Sequence, residues 1–180
     1  YAFTVRQTDV AGNGSDASAA LSVTIDSTPP AQPGAPDLDV SSDTGLLGID
    51  NITNATTPTF TGTVEIDASV SLYANGTQVG MTTASVAGAY AVRSSTLTDG
   101  TYAFTVRQTD VAGNGSDASA SLSVTIDTTI ATPSAPDLDP TSDTGSLSTD
   151  NITMTTTPTF NGTAEADAAV TLYKNGTSAG

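Results

Sequence analysis

Apolar residues alternate with small polar residues in short stretches of this chain, and turn-forming residues separate the stretches. Alternation with a period of two places one set of side chains on one face of an extended strand. No stretch shows helical periodicity, so the pattern predicts an all-β fold. Asn75-Gly76 is typical of a two-residue hairpin turn. Seven strands are predicted in the central part of the chain, at 36–40, 58–64, 69–73, 78–81, 89–93, 101–108 and 121–126.

The same alternation predicts which side chains point into the core. Immunoglobulin-like sandwiches often carry a Tyr at the start of strand F, two residues before an inward Cys. Tyr102 fits the position of that Tyr, and Phe104 takes the position of the Cys. Because the chain has no Cys and no Trp, we expect an immunoglobulin-like sandwich without the antibody-type disulfide. The inward candidates are Phe60, Val70, Leu72, Val92, Tyr102, Phe104, Val106, Leu122, Val124 and Ile126.

Internal repetition is the strongest signal in the sequence. Residues 1–19 are identical to residues 102–120, and Asp37 recurs as Asp137. The period of about 100 residues is too long for a solenoid unit and fits an immunoglobulin-sized domain. The chain is therefore expected to consist of tandem immunoglobulin-like β-sandwich repeats.

Proline-rich segments predict the borders between the repeats. Residues 27–36 contain four prolines and are typical of a stiff linker, and residues 128–136 are their counterpart. We expect residues 1–27 to be the C-terminal strands of a preceding repeat, residues 28–128 to be one complete repeat, and residues 129–180 to be the N-terminal half of a following repeat. The chain is expected to be a fragment of a longer tandem array.

Composition excludes several classes of function. Nineteen acidic and four basic residues give a net charge of -15, so there is no cationic footprint for nucleic acid. The absence of Cys and His removes thiolate and imidazole zinc sites and any Ser-His-Asp arrangement. No apolar run is long enough to span a bilayer, so membrane insertion is not expected. Paired carboxylates could serve a glycosidase, but no aromatic-rich cleft accompanies them, and we expect no enzymatic activity.

Acidic residues are concentrated between the first two predicted strands. Asp39, Asp43 and Asp50 lie there, with Gly45 placed to supply a tight turn, and the segment recurs at 137–153. No basic residue is close enough in sequence to neutralise these carboxylates, and a bound cation would relieve their repulsion. The spacing does not match the EF-hand loop. We predict a cation site within the domain, with the alternative that these aspartates only form turns.

A second acidic group is predicted at the junctions between repeats. The loops after the second and sixth strands carry Glu65, Asp67 and Asp110, and an immunoglobulin-like order puts both loops at the end where the chain comes in. The preceding repeat brings Asp26 to that same end. Carboxylate and carbonyl oxygens are the ligands that Ca²⁺ prefers, whereas Mg²⁺ tends to keep its own waters. We predict a calcium site here, again with turn formation as the alternative; the corresponding residues of the next repeat are Asp127, Glu165 and Asp167.

Several motifs together resemble the bacterial Ig-like repeats of giant type I-secreted adhesins of the RTX/Bap type. They are Thr57–Glu65, Tyr73–Thr77, Leu97–Tyr102, Thr109–Asn114 and Val124–Asp127. The resemblance covers the whole chain. It implies a secreted protein on a Gram-negative cell surface, where calcium-stiffened repeats form a stalk that holds an adhesive tip away from the cell for adhesion and biofilm formation.

Two functions remain open at this level. In the first, the repeats are structural spacers, their partners are the neighbouring Ig-like repeats of the same chain, and Ca²⁺ at each junction fixes the angle between them. In the second, the repeats themselves bind a host glycan or associate with identical repeats on another cell. Strand edges and exposed Thr and Ser side chains could serve that second function.

Overall fold

The computed structural model of the protein describes residues 1–180 and contains strands, turns and loops but no helix. The all-β prediction is therefore confirmed. The chain forms two compact units, residues 1–128 and residues 129–180. No helix in it is long and apolar enough to cross a membrane.

Ten strands make up the first unit. They are β1 (Ala2–Phe3), β2 (Leu21–Ser22), β3 (Asp37–Leu38), β4 (Ile52–Thr53), β5 (Thr59–Thr63), β6 (Ser69–Ala74), β7 (Thr77–Thr83), β8 (Ala89–Arg93), β9 (Gly100–Thr109) and β10 (Leu122–Ile126). One sheet has the order β4-β10-β9-β6-β7 and the other has the order β3-β5-β8. Neighbouring strands are antiparallel except β4 and β10, which run parallel. This is an immunoglobulin-like sandwich, as predicted.

The seven predicted strands are present as β3 and β5 to β10. The first is shorter than predicted because the chain turns at Asp39, where a loop begins. The sequence pattern missed β4, which has only two residues. It is held by the end of β10, where the Thr125 amide donates to the Asn51 carbonyl and the Asp127 amide donates to the Thr53 carbonyl.

The second unit contains β11 (Asp137–Leu138), β12 (Phe160–Asn161), β13 (Tyr173–Lys174) and β14 (Thr177–Ser178). Strands β11 and β12 pair in the same register as β3 and β5, with Leu138 opposite Phe160 as Leu38 is opposite Phe60. At the other end of the chain, β1 pairs with β2 as β9 pairs with β10. The repeated sequence therefore forms repeated local structure.

The core of the sandwich is centred on two aromatic rings from opposite sheets. Phe60 on β5 and Phe104 on β9 are fully buried, and their ring centroids lie 4.2 Å apart. This pair stands where antibody-type domains place the disulfide that joins their two sheets. Of the predicted inward residues, Tyr102 and Leu122 are only partly buried and the other eight are buried.

Tyr102 has the structural role that its position predicts. Its hydroxyl donates a hydrogen bond to the main-chain oxygen of Thr98 at 3.0 Å, and its ring packs near Phe104. A bond from this Tyr to the backbone a few residues upstream is the tyrosine corner of immunoglobulin-like domains. It fixes the loop that leads into β9.

Replacing Phe104 with Ala is expected to lower the free energy of unfolding by about 3–5 kcal/mol, because it removes the contact with Phe60 and leaves a cavity between the two sheets. Phe3 is a matched control, since it lies in the identical Tyr-Ala-Phe-Thr-Val segment but is 53% exposed. Phe3→Ala should cost about 0.5 kcal/mol. Urea denaturation measures both values, and equal losses would contradict this description of the core.

Candidate functional site

The end of the sandwich where the chain comes in, called here the leading end, gathers three segments. They are the linker 27–36, the loop 64–68 between β5 and β6, and the loop 110–121 between β9 and β10. Three linker prolines, Pro30, Pro33 and Pro36, are buried. A spacing of three residues places them on one side of an extended polyproline-type segment. The linker is therefore packed onto the repeat along one face.

Gln108 connects all three segments. The side chain is 3% exposed, and its Nε2 donates to the carbonyl oxygen of Ala31 in the linker at 2.7 Å. Its Oε1 accepts from the amide of Glu65 at 2.8 Å. Its own amide donates to Ser116 Oγ at 3.0 Å. A buried amide that lost these partners would be costly, so each contact depends on the others being in place.

Two further side chains hold the incoming chain. Gln32 Nε2 donates to the carbonyl oxygen of Ala118 at 2.5 Å. Asn114 Nδ2 donates to the carbonyl oxygen of Asp26, the residue that follows the last predicted strand of the preceding repeat, at 3.2 Å. We call Gln32, Gln108 and Asn114 the polar latch. It attaches the end of one repeat and the linker to the next repeat through main-chain oxygens.

Asp110 organises the loop that carries Asn114. Its Oδ1 accepts from the amides of Ala112 and Asn114, and its Oδ2 accepts from Asn114 Nδ2 at 2.9 Å. The bond from the Asn114 side chain is the main reason that the pKa of Asp110 lies below its usual range. Asp9 makes the same bonds with Asn13, so the turn is a property of the local sequence.

The other acids predicted for this junction lie at the leading end but do not converge. Asp26 Oδ1 accepts from the amide of Thr28. The side chains of Glu65 and Asp67 are exposed, and Asp67 has a left-handed backbone with φ 56°. Nowhere does the structure group three or more acidic side chains so that they could hold a metal ion. Calcium at this junction stays a prediction.

The acids predicted for the next junction are distributed over the two units. Asp127 follows β10 in the first unit, where its amide bonds to the Thr53 carbonyl. In the second unit, Glu165 Oε2 accepts from the amide of Ala131 at 3.0 Å, and Asp167 has φ 61°. Glu165 therefore holds its own linker.

Residues 39–51, the acidic loop, contain the acids predicted for a site within the domain. Asp39 Oδ1 accepts from the amide and hydroxyl of Ser41, which lowers the pKa of Asp39, chiefly through the hydroxyl. Asp50 Oδ1 accepts from the amide of Ile52. Asp43 differs from both because it is 8% exposed and its Oδ1 is buried without a hydrogen-bond partner.

Sequence reasoning missed the polar latch. The available signal was the register of β9, in which Phe104, Val106 and Gln108 occupy successive inward positions. A polar residue in an inward register indicates a buried hydrogen-bonding role. In the sequence Asn114 is only the last residue of the Thr109–Asn114 motif, and nothing local to Gln32 indicates its contact with Ala118.

Replacing Gln108 with Ala is expected to lower the free energy of unfolding by about 1–3 kcal/mol, because the Ala31 oxygen and the Glu65 amide lose their partner. The Glu65 amide should also exchange its hydrogen faster. Gln7 is the matched control, since it has the identical sequence around it but is exposed. Gln7→Ala should cost about 0.5 kcal/mol or less. Unchanged protection of the Glu65 amide in Gln108→Ala would contradict the latch.

Comparison with known proteins gives the family. The bacterial Ig-like domain family matches residues 30–128 and again residues 129–180. Exoglucanase B of Cellulomonas fimi is 35% identical over 136 residues, which cover 69% of this chain and 11% of that protein. The chain thus spans only a small part of that relative. It belongs to the bacterial Ig-like domain family, whose members are frequent in extracellular and surface proteins.

Proposed function

We propose that this chain is part of a spacer in a bacterial surface adhesin, and that its repeats hold a distant binding tip at a fixed distance and direction from the cell. The polar latch is the observation that carries the proposal. It attaches the incoming chain from Asp26 to Gln32 to the repeat that follows. Because the incoming chain is bonded to the repeat, the orientation of one repeat relative to the next is restricted, and the repeats do not move independently.

The buried prolines of the linker support the same role. Proline fixes one backbone dihedral angle, so a linker with buried prolines at every third position loses little further entropy when it packs. The latch then holds the packed linker through main-chain oxygens, which are present whatever side chain occupies those positions. This arrangement suits a tandem array in which linker sequences vary.

We further propose that Ca²⁺ binds at the leading end and stiffens the junction. Glu65 and Asp67 present exposed carboxylates there, and Gln108 joins the Glu65 amide to the linker at Ala31. Exposed carboxylates and main-chain carbonyls are a suitable donor set for Ca²⁺. Asp110 would contribute by shaping its loop, since both of its carboxylate oxygens already accept hydrogen bonds from Asn114. A bound divalent cation would offset the repulsion among the acids of this end.

The adhesin context rests on the motifs that resemble RTX/Bap-type repeats and on the family to which the chain belongs. Secretion by the type I route from a Gram-negative cell, adhesion and biofilm formation are parts of this proposal. The similarity to a protein named exoglucanase favours a second context, in which the same repeats separate the domains of a polysaccharide-degrading enzyme. In both contexts the repeats themselves are spacers and do not catalyse a reaction.

Calcium should raise the melting temperature of the chain and EDTA should reverse the increase, because a ligand that binds only the folded state stabilises it. At a free calcium concentration of 100 times the dissociation constant the gain is about 2.7 kcal/mol. Glu65→Gln should reduce the increase. Asp16→Asn removes one charge from an exposed position of the preceding repeat and should not.

Melting curves from calorimetry, with and without EDTA, measure these changes. Identical curves for the unmodified protein in calcium and in EDTA would exclude the calcium part of the proposal. Equal effects of Glu65→Gln and Asp16→Asn would show that general charge repulsion, and not a site at the leading end, determines the response.

A further inference from the structure

Asn114 differs from the two glutamines of the polar latch because a glycine follows it in the sequence. Asparagine before glycine is prone to deamidation, since glycine has no side chain to hinder the attack of its amide nitrogen on the asparagine side chain. The amide nitrogen of Gly115 donates no hydrogen bond. A side chain added at Gly115 would meet nothing within 4 Å. The attacking group is therefore free, and the space around it is open.

The reaction consumes one water molecule and needs no oxidant or reductant. The nitrogen of Gly115 loses its proton and forms a bond to Cγ of Asn114. The bond from Cγ to Nδ2 then breaks, and Nδ2 leaves as ammonia. The succinimide ring that results takes up water and opens to an aspartate or an isoaspartate. The product carries a carboxylate where the polar latch had a hydrogen-bond donor.

The loss of this donor would disrupt the junction. Asn114 Nδ2 donates to the carbonyl oxygen of Asp26 at 3.2 Å and to Asp110 Oδ2 at 2.9 Å. An ionised aspartate can only accept hydrogen bonds, so its carboxylate would face a carbonyl oxygen and a second carboxylate at these distances. Two negative charges so close together repel each other. The attachment of Asp26 to the loop would therefore be lost.

Asn75, which also precedes a glycine, would tolerate the same conversion to aspartate. Its Oδ1 accepts from the amide of Ala103 at 2.9 Å, and its side chain donates no hydrogen bond. An aspartate at that position can accept the same bond. It can also adopt the left-handed backbone of Asn75, whose φ is 47°. The effect of the reaction thus depends on whether the asparagine acts as a donor or as an acceptor.

Asn13 has the same sequence around it as Asn114 but makes fewer contacts. Its Nδ2 donates to Asp9 Oδ2 at 2.9 Å and to no linker oxygen, and its side chain is exposed. Attack by the following glycine requires the asparagine side chain to turn toward its own backbone, which breaks these bonds. Asn114 has one more bond to break, so it should react more slowly than Asn13 while the polar latch is closed.

We propose that Asn114 is a deamidation site that limits the lifetime of the junction. The closed polar latch protects it, each opening of the latch exposes it to attack, and conversion prevents the latch from closing again. A tandem array would then lose the stiffness of its junctions irreversibly as it ages. The proposal rests on the polar latch, and it requires neither bound calcium nor the adhesin context.

Peptide mapping by mass spectrometry, after incubation of the full chain in mildly alkaline buffer with chelator, measures the reaction. Cleavage after Arg6 and Arg107 places Asn13 and Asn114 in different peptides. Asn13 should convert several-fold faster than Asn114 in the folded chain and at the same rate in urea. Gln32→Ala, which removes another contact of the polar latch, should speed the conversion of Asn114 and leave that of Asn13 unchanged.

Equal rates for the two asparagines in the folded chain would overturn the protective role of the polar latch. An Asn114 that stays unconverted in Gln32→Ala until Asn13 is consumed would overturn its assignment as a deamidation site. Both measurements are made without free calcium, so a failure of the calcium proposal would not change their outcome.

Asn114→Asp reproduces the aspartate product and tests its effect on the junction. The Ser27 amide belongs to the same peptide group as the Asp26 carbonyl, so its ¹H–¹⁵N NMR signal should shift in Asn114→Asp, as it should in Asn114→Ala. Asn75→Asp is the matched control and should leave that signal in place. An unchanged Ser27 signal in Asn114→Asp would overturn the proposal, because deamidation would then leave the junction intact.

Discussion

The buried side chain of Gln108 is the contact on which the junction depends. Both ends of its amide are used, one on the linker at Ala31 and one on the loop at Glu65, in a position that is almost inaccessible to water. Folding of the repeat and placement of the incoming chain are therefore coupled, because either one alone leaves a buried polar group unpaired. The Phe60–Phe104 contact holds the two sheets together. Gln108, four residues after Phe104 on β9, holds the linker to the repeat.

The acidic residues that give the net charge of -15 differ in their surroundings: some accept hydrogen bonds within their own loops, some are exposed, and one in the first acidic loop is buried. Asp110 accepts hydrogen bonds from the Asn114 side chain and from amides of its loop, and Asp39 accepts them from the hydroxyl and amide of Ser41. These bonds lower the pKa of each carboxyl group. The lowered pKa values keep both groups ionised at neutral pH. Glu65 and Asp67 are exposed, whereas Asp43 is buried with one unpaired oxygen. Glu65 and Asp67 are therefore acids of the leading end whose carboxylates face solvent, where a cation could reach them.

Much of the fold could be predicted from the sequence because period-two alternation and the internal repeat depend on local composition. The Tyr102 corner and the burial of Phe104 followed from their spacing. The functional contacts could not be predicted in the same way. Asp43 looks like Asp39 and Asp50 in sequence, and its burial comes with long-range contacts of the loop, such as those of the adjacent Ser42 with Thr53 and Thr59. Asp110 organises its own turn, and its role as a metal ligand stays a prediction, because both roles use the same side chain at the same kind of loop position.

The central claim, that calcium fixes the direction of one repeat relative to the incoming chain, is tested most directly by a distance distribution. The chain has no Cys, so Ala17→Cys and Thr77→Cys, both at exposed positions, can carry two spin labels without further changes. Double electron–electron resonance should give one narrow distance distribution in calcium and a broader one after chelation. A width that is the same in both conditions would contradict the claim.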